Sequence, residues 1–65
     1  MVTNMLNRLP ERHRNVLIRR YGLDGQTPQS HERIGASLGV GHERSRQLEH
    51  EALHRLHTIA TAHAA

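Results

Sequence analysis

The sequence predicts an all-α fold, a small three-to-four-helix domain with a C-terminal helix-turn-helix. Three observations carry this expectation. Apolar residues recur at helical spacing, no stretch shows the alternation of a strand, and residues 34–49, IGASLGVGHERSRQLE, read as helix, glycine-bearing turn and helix. Sixty-five residues hold one domain at most, with a core near the lower limit for independent folding. Cysteine is absent, so neither a disulfide nor a cysteine zinc site supports it. Tyr21 is the single aromatic residue, which leaves the core to Leu, Ile, Val and Ala.

The elements follow in order. A short helix is expected over about 3–9, with Thr3 as its candidate cap. Pro10 suits the first position of a second helix that runs to about Tyr21, with Glu11 near its positive end. Its inward face is read as Leu9, Val16, Leu17 and Tyr21, and Gly22 ends it. The stretch LDGQTPQ carries turn chemistry, an Asp-Gly pair followed by Pro28. Ser30 is the expected N-cap of a third helix over about 31–38, where Glu32 favours the first turn. Gly39 supplies the next turn and Val40 tucks under it, while Gly35 lies where two helices cross closely and a small residue is wanted. The fourth helix is expected from His42 to about Ala60. Its apolar stripe is Leu48, Ala52, Leu53, Leu56 and Ile59, and the tail over about 61–65 is expected to fray.

Charge narrows the class of partner. The net charge is +3 and every basic residue is arginine, whose planar fork suits phosphates and guanine edges better than lysine does. An arginine-, alanine- and histidine-rich composition also fits a GC-rich coding sequence, so it favours an anionic partner without identifying one. No apolar run approaches the roughly 20 residues that span a bilayer, and the N-terminus lacks a signal-peptide layout. A cytoplasmic location without membrane contact is the expectation.

In a helix-turn-helix, the second helix enters the DNA major groove with its N-terminal residues toward the bases. The motif here sits inside a longer pattern. LPERHRNVLIRRYGLDG, then PQSHERIGASLGV, then HERSRQLEHEALHRL run collinearly over about three quarters of the chain. As a set they resemble region 4 of sigma-70 family transcription initiation factors. The resemblance implies a compact helical domain over 1–65, with its helix-turn-helix at about 31–57. It implies promoter DNA at the −35 element and the β flap of RNA polymerase as partners, and no cofactor. It places His42, Glu43, Arg46 and Gln47 on base-facing and groove-lining positions. The chemistry agrees for three of these: Arg46 suits a guanine edge or a phosphate, Gln47 an adenine edge, and Glu43 a cytosine amino group. Arg44 and Arg33 are better placed for phosphates or the solvated rim.

Five positions depart from that family pattern. His42 stands where Arg or Lys is usual, and Ser45 takes an inward Val or Ile position. His31 replaces an apolar residue, Glu51 falls on a commonly basic position, and Gly41 replaces a Ser or Thr cap. A buried Ser45 hydroxyl needs a partner, because an unpaired one costs about 1–3 kcal/mol. These changes point to an alternative sigma factor, a divergent paralogue or a domain kept for protein contact. They also support a second reading, a sigma-like interaction module that binds a transcription regulator, an anti-sigma partner or the polymerase without strong −35 reading.

Other chemistry finds little footing. His50, His54 and His57 share one helix face at i, i+4 and i+7, a spacing at which paired histidines can hold zinc. With no further ligand positioned beside them, they read as a solvated face, and no metal site is expected. Protonation of His42, His54 and His57 would add positive charge beside DNA below about pH 6.5. No nucleophile–base pair, phosphate loop or carboxylate dyad can be assembled, so an enzyme is not expected.

Overall fold

The computed structural model describes residues 5–64, with side-chain environments through residue 62. Its helices are α1 (Glu11–Tyr21), α2 (His31–Leu38) and α3 (His42–Ala64), and no strand occurs among the described residues. Residues 5–9 form a short helical turn, closed by bonds from Arg8 N to Met5 O and from Leu9 N to Leu6 O. The candidate cap Thr3 lies outside the described residues.

Local chemistry sets the helix bounds. Pro10 stands as the N-cap of α1 rather than its first helical residue, and its carbonyl accepts from Arg14 N at 2.9 Å. The helix ends at Gly22, whose left-handed backbone returns its N–H to Ile18 O. In the following loop Asp24 Oδ1 accepts from Gln26 N at 3.1 Å, the Asx turn that an Asp-Gly pair favours. The loop is latched to α1 at both ends of Gln29: its N–H reaches Arg19 O, and its carbonyl accepts from Arg20 Nη1. Ser30 caps α2 by accepting from Arg33 N, and Gly39 closes that helix at φ 76°. Gly41 O accepts from Ser45 N at 3.1 Å, so Gly41 occupies the cap position of α3.

Two apolar clusters hold the helices, and adjacent residues of α1 feed one each. Leu17 joins Leu6, Leu9 and Ala52, with Ile18 and Leu56 packed alongside. Val16 joins Ile34 and Leu48, with Leu38 against them. The first cluster fastens the N-terminal turn to the middle of α3, and the second fastens α2 to its beginning. Gly35 makes the close approach possible: a Cβ on it would lie 2.6 Å from Val40 O and 3.0 Å from Gly41 O. The N–H of Val40 bonds Gly35 O at 2.8 Å across the same gap.

Three further expectations need correction. Tyr21 is 50% exposed rather than inward, and His13 takes the buried place on α1 instead. Leu53 is 45% exposed, one position round from the buried stripe formed by Ser45, Leu48 and Ala52. The last helix continues past Ala60 to Ala64, so residues 61–64 are helical. Thr58 and Thr61 bond back to the carbonyls of His54 and His57, which ties those hydroxyls to the helix itself.

Candidate nucleic-acid interface

The turn at Gly39 sets α3 across α2 so that one side of α3 packs inward and the other faces solvent. Ser45, Leu48 and Ala52 are fully buried, whereas His42, Glu43, Arg44, Arg46 and Gln47 are all exposed. With 100° per residue, His42 and Arg46 lie one turn apart on one flank, and Glu43, Gln47, His50 and His54 share the outermost line. Arg44 lies on the opposite flank, toward α1. Arg33 is exposed on α2 beside the loop cleft that Arg19, Thr27 and Gln29 also line. The structure therefore brings five of the six candidate residues onto the first turns of α3 and keeps Arg33 apart.

The basic groups of this surface are not bare. Arg46 Nε donates to Glu43 Oε1 at 2.9 Å, and Arg44 Nη1 reaches both Gln47 Oε1 and Glu51 Oε2 at 3.3 Å. Glu51 also accepts from His13 Nε2 at 2.8 Å, which ties α3 to α1. That bond explains a carboxylate at a position where the family pattern is commonly basic. The His13 bond, against partial burial and with help from Arg44, holds the Glu51 carboxyl below the usual carboxylate range.

Behind the surface lies a polar network that sequence reading did not assemble. Ser45 Oγ lies 2.9 Å from His31 Nδ1, and His31 Nε2 lies 2.7 Å from Glu49 Oε1. The Tyr21 hydroxyl donates to Glu49 Oε2. A carboxylate only accepts, so His31 carries its proton on Nε2, and in the neutral ring the Ser45 hydroxyl donates to Nδ1. Two departures from the family pattern, His31 and Ser45, thus satisfy each other. Each was visible as a polar residue at an apolar position; the signal that would have paired them is that both occur at the α2–α3 crossing. The order Ser45–His31–Glu49 resembles a hydrolytic triad, but the serine has 0% exposure and no substrate atom can reach it.

Burial opposes ionisation of Glu49, yet hydrogen bonds from Tyr21 and His31 and the charge of Arg20 outweigh it and hold the carboxyl below its ordinary range. The same bond to Glu49, then burial, raises the Tyr21 phenol. A carboxyl that titrates lower in the folded than in the unfolded chain stabilises above its unfolded value, about pH 4.3, and that stability is lost as pH falls through the folded value. Thermal melts between about pH 6 and pH 3 should therefore show a falling Tm, with a shallower fall in Glu49→Gln. Parallel curves for the two proteins would contradict this assignment.

His50, His54 and His57 are exposed along α3, and among the described residues no group of three or more His, Cys, Asp or Glu is arranged to hold a metal ion. No helix among the described residues is long and apolar enough to cross a membrane.

Comparison with known proteins agrees with this architecture. Residues 5–58 match the family described as Sigma-70, region 4. The chain is 40% identical over 62 residues to the chloroplastic RNA polymerase sigma factor sigF of Arabidopsis thaliana, covering 95% of this chain and 11% of that protein. It is 43% identical over 53 residues to the RNA polymerase sigma factor SigA of a Bacillus species, covering 82% of this chain and 14% of that protein. It is 38% identical over 58 residues to the RNA polymerase sigma factor RpoS of Coxiella burnetii, covering 89% and 16% respectively. The chain thus spans between about a tenth and a sixth of the length of these relatives. With a helix-turn-helix built on a three-helix core and a match across 5–58, the chain belongs to the sigma-70 region 4 family.

Proposed function

We propose that this domain acts in transcription initiation by binding the −35 element of a promoter through α3 while another of its surfaces docks on the β flap of RNA polymerase. The observation that carries the reading is the exposed, donor-rich start of α3, set out from the core by the Gly35–Gly39 crossing. Arg33 and Arg44 contact phosphates, and His42, Glu43, Arg46 and Gln47 face the bases. A domain of this size holds few phosphates, so its DNA affinity is weak and falls with salt, and polymerase tethering raises the effective concentration.

Family membership alone is compatible with the interaction-module reading, in which −35 contact has been given up. Two of the departures that favoured that reading have an internal explanation. Ser45 is paired with His31 inside the core, and Glu51 is paired with His13 at the α1–α3 contact. Only His42 remains as a change on the exposed face itself.

Fluorescence anisotropy with a −35-type duplex tests the proposal. Changing Arg46 and Gln47 together to Ala should weaken binding by at least about tenfold at low salt, the equivalent of one bidentate contact. Unchanged retention would contradict it. Both side chains are exposed, so the melting temperature should move little, which separates loss of contact from loss of fold.

A further inference from the structure

Six of the histidines fall into two sets. His13 and His31 point inward, each with Nε2 on a carboxylate, Glu51 at 2.8 Å and Glu49 at 2.7 Å. His42, His50, His54 and His57 are exposed along α3 and make no side-chain hydrogen bond among the described residues. Position selects two of these four. His50 and His54 continue the outermost line of Glu43 and Gln47, about 4.5 and about 10.5 Å along the axis from Gln47. That is the scale of a major groove about 12 Å wide, with phosphates along its edges. His57, about 15 Å along, lies past it, and His42 sits on the flank ahead of the line.

The surroundings of the pair leave an added charge available. His50 shares a surface depression with Arg20 of α1, His31 of α2 and, on α3 itself, Arg46, Glu49 and Glu51. His54 faces Arg8 of the N-terminal turn and Arg55 on one side, and Glu51 on the other. Both carboxylates within this region are engaged. Glu49 accepts from Tyr21 and His31, and Glu51 accepts from His13 and Arg44. A proton on either exposed ring therefore meets no unengaged carboxylate in the protein, and an anion outside can take up the charge. We propose that His50 and His54 form a proton-dependent contact to the DNA phosphates at the groove edge, tightening the domain on DNA as the medium is acidified; this rests on the DNA-binding reading above. An ordinary imidazole changes charge within about pH 5–8. Neutral, it offers one N–H; protonated, it offers two donors and a charge. Linkage makes the effect reciprocal, so DNA binding draws protons onto the two rings. Arginines at these places would hold phosphates at every pH, whereas histidines make the grip conditional.

The test is fluorescence anisotropy of the full chain with a −35-type duplex at about pH 7.8 and about pH 5.8, at matched salt. Wild type should bind roughly tenfold more tightly at the lower pH, and its log–log dependence on salt should steepen there by up to about 0.9 for each added charge. Calorimetry in buffers of different ionisation heat should show net proton uptake on binding near about pH 6.5. His50→Gln with His54→Gln should reduce the ratio of affinities at the two pH values below about threefold and remove most of that uptake. His50→Arg with His54→Arg should bind at the higher pH as tightly as wild type does at the lower, with the same small ratio. Equal wild-type affinity at the two pH values would overturn the assignment, and so would a glutamine double variant that keeps the whole ratio. A scrambled duplex separates the two claims. Wild type that does not prefer the −35 sequence at either pH contradicts the promoter reading, whereas the placing of the proton on His50 and His54 is decided by the variants. Absence of binding at both pH values would contradict both.

Discussion

Replacing His31 by Ala should destabilise the domain by about 3 kcal/mol, a fall in Tm on the order of 10–20 °C for a chain of this size. The cost comes from what the ring leaves behind. Ser45 loses its partner at 0% exposure, and an unpaired buried hydroxyl costs about 1–3 kcal/mol. Glu49 loses one of the two donors that hold it, a charge-assisted bond that contributes somewhat more than a neutral one. Removing both members of the Ser45–His31 pair is a different case. In His31→Leu with Ser45→Val, neither polar group remains to be left unpaired, and apolar contact at the crossing increases. The double variant should be more stable than His31→Leu alone, with a coupling of about 1–3 kcal/mol in a denaturant-monitored cycle. Additive effects of the two changes would mean that the bond between them does not stabilise the fold.

Gly35→Ala should have an effect of similar size for a steric reason. The new Cβ would fall 2.6 Å from Val40 O, 3.0 Å from Gly41 O and 3.1 Å from Gly41 C, all backbone atoms of the turn. No side-chain rotamer relieves such contacts, so the turn must move and α3 must move with it. Overpacking of this kind typically costs about 1–3 kcal/mol, and here it also re-aims the helix proposed to meet DNA. The expected result is a Tm lower by roughly 5–20 °C, with DNA binding weakened even at temperatures where the variant is fully folded. Gly39→Ala is the control. It strains a left-handed residue at φ 76°, but nothing lies within 4 Å of the added Cβ, so its cost should be nearer 1 kcal/mol. Equal destabilisation by the two changes would show that the crossing at Gly35 is less tight than its geometry indicates.

The parts of this fold that sequence made legible are those set by local chemistry. Ser30 and Gly39 bracket α2 at its observed bounds, and Gly22 ends α1, because caps and left-handed glycines act within a few residues. The inward set Leu9, Val16, Leu17, Leu48 and Ala52 follows from helical period alone. Period does not decide the margins of the apolar stripe: it puts Leu53 and Tyr21 inward, and both stand half exposed. Their fate depends on which helix lies opposite, and that is tertiary. His13 illustrates the reverse error: a polar residue among RHRN reads as surface, yet its ring is buried against α3 with Nε2 on Glu51.

The candidate interface was legible as a list and not as an arrangement. Exposure of His42, Glu43, Arg44, Arg46 and Gln47 follows from the burial of Ser45 and Leu48 on the opposite side of the same turns. The pairing of Arg46 with Glu43 was also accessible, since i and i+3 are neighbours on a helix. The link between His31 and Ser45, and that between His13 and Glu51, join residues 14 and 38 positions apart and depend on how α2 and α1 cross α3. Once those links are known, Ser45 and Glu51, two departures from the family pattern, become parts of the scaffold behind the candidate DNA-facing residues.

An NMR titration of the isotope-labelled chain with a −35-type duplex tests the central claim most directly, with a peptide of the polymerase flap added to a separate sample. The account requires DNA-induced shifts clustered on residues 42–47, with a smaller group near Arg33, that weaken as salt is raised. Shifts with the flap peptide alone, or none on α3 with DNA, would contradict promoter recognition by this helix.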